Sequence, residues 1–185
     1  VELLTAVNSI LPFLEENTVT NINTKHPTVA LVLGKLDNAR EFLLTKRYWF
    51  NNEKKQFYLA PDGRANVGTN LLAMYTTDKR LNYEARGQFV YDLNNSTYIL
   101  PSAFEAQITV DLTFEELPHF AALWVQWRAA VEAYTQDFQV DQVVQILSTR
   151  EIEAMAMLER EHLRKRNFSS MRSPPGHRFI NSLRA

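Results

Sequence analysis

Lys46-Arg47-Tyr48-Trp49-Phe50 is the stretch at which the chain changes its hydrophobic period. Before it, apolar residues recur every three or four positions, which marks one face of a helix. After it, aromatic and β-branched residues crowd together and turn residues arrive at short intervals, which marks short strands. Past Thr113 the helical period returns. Blocks of helix, then strand, then helix predict an α+β fold. The expected form is a bundle of about four helices with a small antiparallel β-meander inserted, followed by an extended C-terminal tail.

Upstream of that stretch, Leu3, Leu4, Val7, Ile10, Leu11 and Leu14 outline a first helix. Glu15-Glu16-Asn17-Thr18 interrupts it, and Asn21–Lys25 reads as a polar loop. Thr24 is placed to cap a second helix. Pro27 falls in that helix's first turn, where its missing N–H costs little. Val29, Val32, Leu33, Leu36, Leu43 and Leu44 mark the buried side, with Lys35, Asp37, Arg40 and Glu41 outside. Gly34 inside the helix costs about 1 kcal/mol against Ala.

Downstream, Phe57–Leu59, Leu81–Glu84, Phe89–Tyr91, Tyr98–Leu100 and Glu105–Leu112 read as strands. Pro61-Asp62-Gly63, Arg86-Gly87 and Asn94-Asn95-Ser96 read as turns between them, and Asn66–Asn70 as loop. Thr113-Phe114-Glu115-Glu116 has the spacing of a capping box, and Pro118 predicts a short turn before the true helix. Phe120, Leu123, Trp124, Trp127 and Val131 give a third helix ending near Thr135. Asp137–Gln139 links to a fourth, marked by Val143, Val144, Leu147, Glu151, Met155 and Leu158 and running from Val140 to Arg166. The expected organisation is one domain over 1–166, with helices in 1–45 and 114–166 and a β region over 48–112. Residues 167–185 form a basic tail without helical period, able to reach about 65 Å if extended.

At 185 residues, 45% hydrophobic, the chain suits one globular domain with a sizeable core. It has no cysteine, which excludes disulfides, thiolate zinc sites and cysteine nucleophiles. Its apolar runs, such as Val29–Leu33 and Phe120–Val125, fall far short of the roughly 20 residues of a membrane span. Val1-Glu2-Leu3-Leu4 carries no basic region and no signal-peptide cleavage pattern. The net charge of −1 is unevenly spread: from Arg160 onward seven Arg/Lys face one Glu, leaving −7 on the preceding 159 residues. A basic end of this kind suits a separate binding role, or simply a solvated helix terminus that complements the dipole.

Motifs that carry chemistry are scarce. His26, His119, His162 and His177 lack metal-ligand spacing, and His26 and His119 each flank a proline at a helix entry, where capping or packing suffices. The five glycines form no phosphate cradle. Glycoside hydrolysis needs two carboxylates across a cleft. Glu15/Glu16 and Glu115/Glu116 are adjacent in sequence and do not face each other. Neither a catalytic residue nor a cofactor is expected. Trp124 and Trp127 suit a core or a subunit interface better than a sugar platform. Arg164-Lys165-Arg166 could hold nucleic acid or an acidic protein surface. Phe168, Phe179, Ile180 and Leu183 are isolated apolar anchors on a polar tail, of the kind that docks into another subunit; the plain alternative is a disordered tail.

Taken in order, several stretches resemble a known family. They are Leu3-Leu4-Thr5-Ala6-Val7-Asn8-Ser9-Ile10-Leu11, Thr24-Lys25-His26-Pro27-Thr28-Val29-Ala30, Tyr48-Trp49-Phe50-Asn51, Gly87-Gln88-Phe89-Val90-Tyr91-Asp92 and Phe114-Glu115-Glu116-Leu117-Pro118. This collinear set, over roughly residues 3–166, resembles the tail tubular protein A family of short-tailed podophages of the autographivirus group. The resemblance implies a head-to-tail adaptor ring of twelve copies, between the portal protein and the tail nozzle (tail tubular protein B). Genome DNA would pass through without sequence-specific binding. The subunit would sit in the virion tail after assembly in the host cytoplasm, without a membrane. It further implies that the C-terminal helix and tail meet the portal, through Arg164, Lys165, Arg166, Phe168, Arg172, Arg178, Phe179 and Ile180. Two other readings stay open: a tail-associated polysaccharide or peptidoglycan hydrolase, and a nucleic-acid-binding module using the basic end.

Overall fold

The computed structural model describes residues 1–23 and 25–166. The expectations for Thr24 as a cap and for the tail 167–185 lie outside the described residues. Four helices and two small antiparallel sheets make the expected α+β fold.

Helix α1 (Leu3–Ile10) runs into a 3-10 turn over Leu11–Leu14, where the sequence predicts one continuous helix. Pro12 explains the difference, because it has no N–H for the i→i−4 ladder. Glu15, at φ 60°, ends the turn. The buried side is Ala6, Val7, Ile10, Leu11 and Leu14. Helix α2 (Pro27–Thr45) opens on its proline and buries Val29, Val32, Leu36, Ala39, Leu43 and Leu44. Leu33 is only half-buried.

The predicted capping box forms, but on a 3-10 turn over Phe114–Glu116. The Thr113 N–H donates to Glu116 Oε2 at 2.8 Å. That bond, with one from the Thr113 hydroxyl, holds the Glu116 carboxyl below its ordinary value. Leu117 and Pro118 then lead into α3 (His119–Asp137). This helix packs on both α2 and α4 (Gln142–Lys165), so it is buried on most sides. Ala121, Ala122, Ala129, Ala130 and Ala133 supply much of that burial, and their small side chains let neighbouring helices come close. Of the expected aromatic stripe, Trp124 is fully inside, while Phe120 and Trp127 are half-buried. Asp141 caps α4 by accepting the N–H groups of Val143 (2.8 Å) and Val144 (3.3 Å).

The β region comprises β1 (Asn52–Phe57), β2 (Leu71–Thr76), β3 (Tyr83–Arg86), β4 (Phe89–Asp92) and β5 (Phe104–Val110). β3 and β4 form a hairpin, and the other three pair in the order β1-β5-β2. A meander would place chain neighbours side by side; here the last strand lies between the first two. The reason is in the side chains. β1 exposes Glu53, Lys54, Lys55 and Gln56, which suits an edge, whereas β5 buries Phe104, Ala106 and Ile108 and takes the centre. β2 was not expected from the sequence. The expected strand at Tyr98–Leu100 does not form: only Thr97 makes a bridge, to Asp92. That segment instead closes over the predicted Pro61-Asp62-Gly63 turn, with the Leu100 N–H donating to Gly63 O at 2.9 Å. Gly63 has φ +79°, and a Cβ there would stand 2.9 Å from Ile99 Cγ2, so any other residue would be strained.

The buried apolar residues fall into two clusters, one among the helices and one in the β region. Polar groups join them. Arg40 bonds Asp37, Asp111 and, at 2.8 Å, the Leu112 carbonyl. Buried Asn51 donates its side-chain N–H to Leu44 O at 2.8 Å and accepts the Val110 N–H through its backbone carbonyl at 2.8 Å. The Arg47 guanidinium lies 3.8 Å from the centre of the Tyr75 ring.

Candidate assembly interface

The far end of α4 is held by the same stretch at which the chain changes period. Tyr48 is buried, its ring stacked on Phe50 at 5.7 Å and edge-on to His162 at 5.0 Å. Its hydroxyl donates to Glu159 Oε1 at 2.6 Å. Burial, helped by that carboxylate, pushes the phenol well above its ordinary value, so it stays a donor. The Trp49 N–H donates to His162 Nδ1 at 3.3 Å. Leu158, fully buried, completes the anchorage. Arg128 adds a second tie between α3 and α4, bonding Glu132 at 2.7 Å and Glu151 at 3.4 Å.

Beyond these anchors the helix ends in cations. Arg164, Lys165 and Arg166 are all exposed, and Arg164 stands 3.8 Å from Glu161. Positive charge at this terminus complements the helix dipole, so these groups are stabilised where they stand and still face outward. Phe168, Arg172, Arg178, Phe179 and Ile180 lie outside the described residues.

The outer surface of α4 carries a feature the sequence reading missed. Ile146 and Met157 are exposed eleven residues apart, and so are Ile152 and Leu163. Eleven residues span about three turns, so each pair lines up along the helix. The two pairs stand about 120° apart around the helix, and Ile152 is 68% exposed, so among the described residues α4 carries two separate apolar lines without a partner. The signal was present as the 146/157 and 152/163 spacing, masked by the stronger buried stripe of Val144, Leu147 and Leu158.

The other groups singled out by sequence go elsewhere. Glu16 accepts from the Thr28 hydroxyl at 3.0 Å and stands 3.7 Å from His26 Nε2, while Glu116 is taken by its capping box. His119 is exposed and packs edge-on against Phe120. Among the described residues no three His, Asp or Glu gather as a metal would require. No described helix is long and apolar enough to cross a membrane.

His162 gives this anchorage a pH dependence. Burial first, then the nearby Arg166, lowers its pKa below the ordinary 6.5, against the opposing pull of Glu159. The neutral ring is the form that accepts the Trp49 N–H. A lowered folded-state pKa means the unfolded chain binds the proton better. The contribution is therefore full above 6.5 and is lost as pH falls through the folded-state value. Urea midpoints of the full chain should fall between about pH 7.5 and about pH 5.5. His162→Asn, which retains an acceptor that does not titrate, should flatten part of that fall. Equal slopes for the two proteins would refute the assignment.

The comparisons with known proteins agree with one another. A family model described as tail tubular protein matches residues 4–168. The tail tubular protein A of Klebsiella phage KP34 is 32% identical over 181 residues, covering 98% of this chain and 95% of that protein. With the match running from α1 to the end of α4, the chain belongs to the tail tubular protein family, a structural component of the phage tail.

Proposed function

We propose that this chain is the subunit of an adaptor ring that joins the portal protein to the tail nozzle, tail tubular protein B. The observation that carries this reading is α4 itself: a helix anchored near its end through Tyr48 and His162 that presents three cations just beyond those anchors and exposes Ile146, Ile152, Met157 and Leu163 along its length. A folded body whose described residues leave two apolar lines and a cationic helix end exposed suits assembly better than turnover. Residues 1–166 act as one adaptor domain and 167–185 as its tail. The portal contacts are Arg164, Lys165, Arg166, Phe168, Arg172, Arg178, Phe179 and Ile180. The ring has twelve copies, assembles in the host cytoplasm and lines the passage for genome DNA. The −7 carried by residues 1–159 repels phosphate and discourages DNA from sticking in the bore. The subunit works by binding, without catalysis and without a membrane.

Negative-stain imaging of the full chain mixed with its portal should give a closed ring stacked coaxially on the portal. Rings absent from the mixture, or rings that ignore the portal, would overturn the proposal. Sugar released from host polysaccharide would favour the hydrolase reading instead.

A further inference from the structure

A closed ring built head to tail needs two different patches on each subunit, complementary to one another. One cleft of about 580 Å3 is lined by apolar Leu3, Leu33 and Phe114 and by the carboxylates of Asp37, Asp111 and Glu115. Arg40 is its single cation, so the lining carries −2. A shallower hollow of about 390 Å3 is lined by Lys55, Tyr58, Leu59 and Arg64, among others, and no carboxylate lines it. Its lining carries +2, although Asp62 stands 3.8 Å from Arg64 just outside.

The two places belong to opposite edges of the three-stranded sheet. Asn70, in the acidic cleft, leads directly into β2, while Lys55 and Phe57 are part of β1, the other edge strand. Among the described residues β1 has a free edge, and Tyr58 just beyond it is 76% exposed, which is high for an aromatic side chain. A third observation is independent of charge. Gly34 lies inside α2 and lines the acidic cleft, yet a Cβ built there would meet nothing within 4 Å. A helix-interior glycine costs about 1 kcal/mol, and the described residues provide no packing that requires it. Close approach by something from outside would.

We infer that the cleft at Gly34 of one copy receives the Lys55–Tyr58–Arg64 edge of the next copy. Tyr58 enters over Gly34, and Lys55 and Arg64 face Asp37, Asp111 and Glu115. The interface is heterologous, as a ring requires, and the opposite charges fix its direction. This inference rests on the ring reading above and names the surfaces that would close it.

The chain has no cysteine, so introduced thiols report cleanly. The full-length double variant Tyr58→Cys/Glu115→Cys, assembled with portal and mildly oxidised, should give a covalent ladder of chains beyond the dimer. Each single variant should give no ladder. Gly34→Leu provides the second measurement. It fills space that is empty within the chain, so the isolated variant should melt at or above the wild-type temperature. Its ring yield should fall more than about tenfold, as loss of about 1.4 kcal/mol per contact would produce. Wild-type rings that form normally while the double variant gives no ladder would overturn this interface and leave the ring standing. So would wild-type ring yield from Gly34→Leu. No ring from the wild-type chain would overturn both readings.

Discussion

Tyr48→Ala is expected to cost the folded chain about 3–5 kcal/mol, as loss of a large buried aromatic does. The ring is 3% exposed and lies between Phe50, Trp49 and His162, so its removal opens a void that these neighbours cannot easily close. Against a total stability of roughly 5–15 kcal/mol, that is a fifth or more. Tyr48→Phe separates packing from hydrogen bonding. It removes the bond to Glu159, whose carboxylate is exposed and can turn to water, and the weaker contact with the Met155 sulfur, and should cost about 1 kcal/mol. The damage from Tyr48→Ala should also be local. Amide exchange should quicken first in residues 155–165, where Met155, Glu159 and His162 all lean on the Tyr48–Trp49 pair. Urea denaturation followed by far-ultraviolet circular dichroism gives the free energies. If the Ala and Phe variants lose the same amount, the ring is not what holds the end of α4.

The reason this tie escaped the sequence is distance along the chain: Tyr48 and Glu159 are 111 residues apart, and no local pattern links them. What could be read was local. The period of Val29, Val32, Leu36 and Leu43 gave α2, and Val144, Leu147 and Leu158 gave α4, because a buried helical face repeats within a few residues. The Thr113–Glu116 box was legible for the same reason. The alanine faces of α3 were not, since alanine is too weakly apolar to leave a periodic mark among Trp and Leu. The strand order was hidden too. Pairing of β1 with β5 joins residues such as Phe57 and Phe104 across the whole β region, which turn residues cannot report. For the candidate interface, the cations at 164–166 showed as a charge run, whereas the exposure of Ile152 and Leu163 could be seen only after the buried side of α4 was fixed.

Removing residues 164–185 should abolish portal binding while leaving the fold in place. The anchors of α4 stop at Leu158 and His162, so the cut discards the last exposed residues of the helix and the tail, and the melting temperature should move by no more than a surface change allows. Binding should fall at least about a hundredfold, because truncating one partner of a buried, hydrogen-bonded charge pair costs about 2–5 kcal/mol. The triple variant Arg164→Glu/Lys165→Glu/Arg166→Glu keeps the chain length and tests the charges alone. Reversed charge opposes an acidic partner instead of attracting it, so this variant should bind no better than the truncated chain. Added salt should weaken the wild-type complex and, if anything, strengthen the triple variant's residual binding, since salt screens attraction in the first and repulsion in the second. A nucleic-acid partner would behave differently, with affinity for duplex DNA falling steeply with salt in proportion to the phosphates neutralised. Titration of wild type and both variants against portal, and separately against DNA, distinguishes the two partners. Unchanged portal affinity after truncation would remove the basic end of α4 from the assembly altogether.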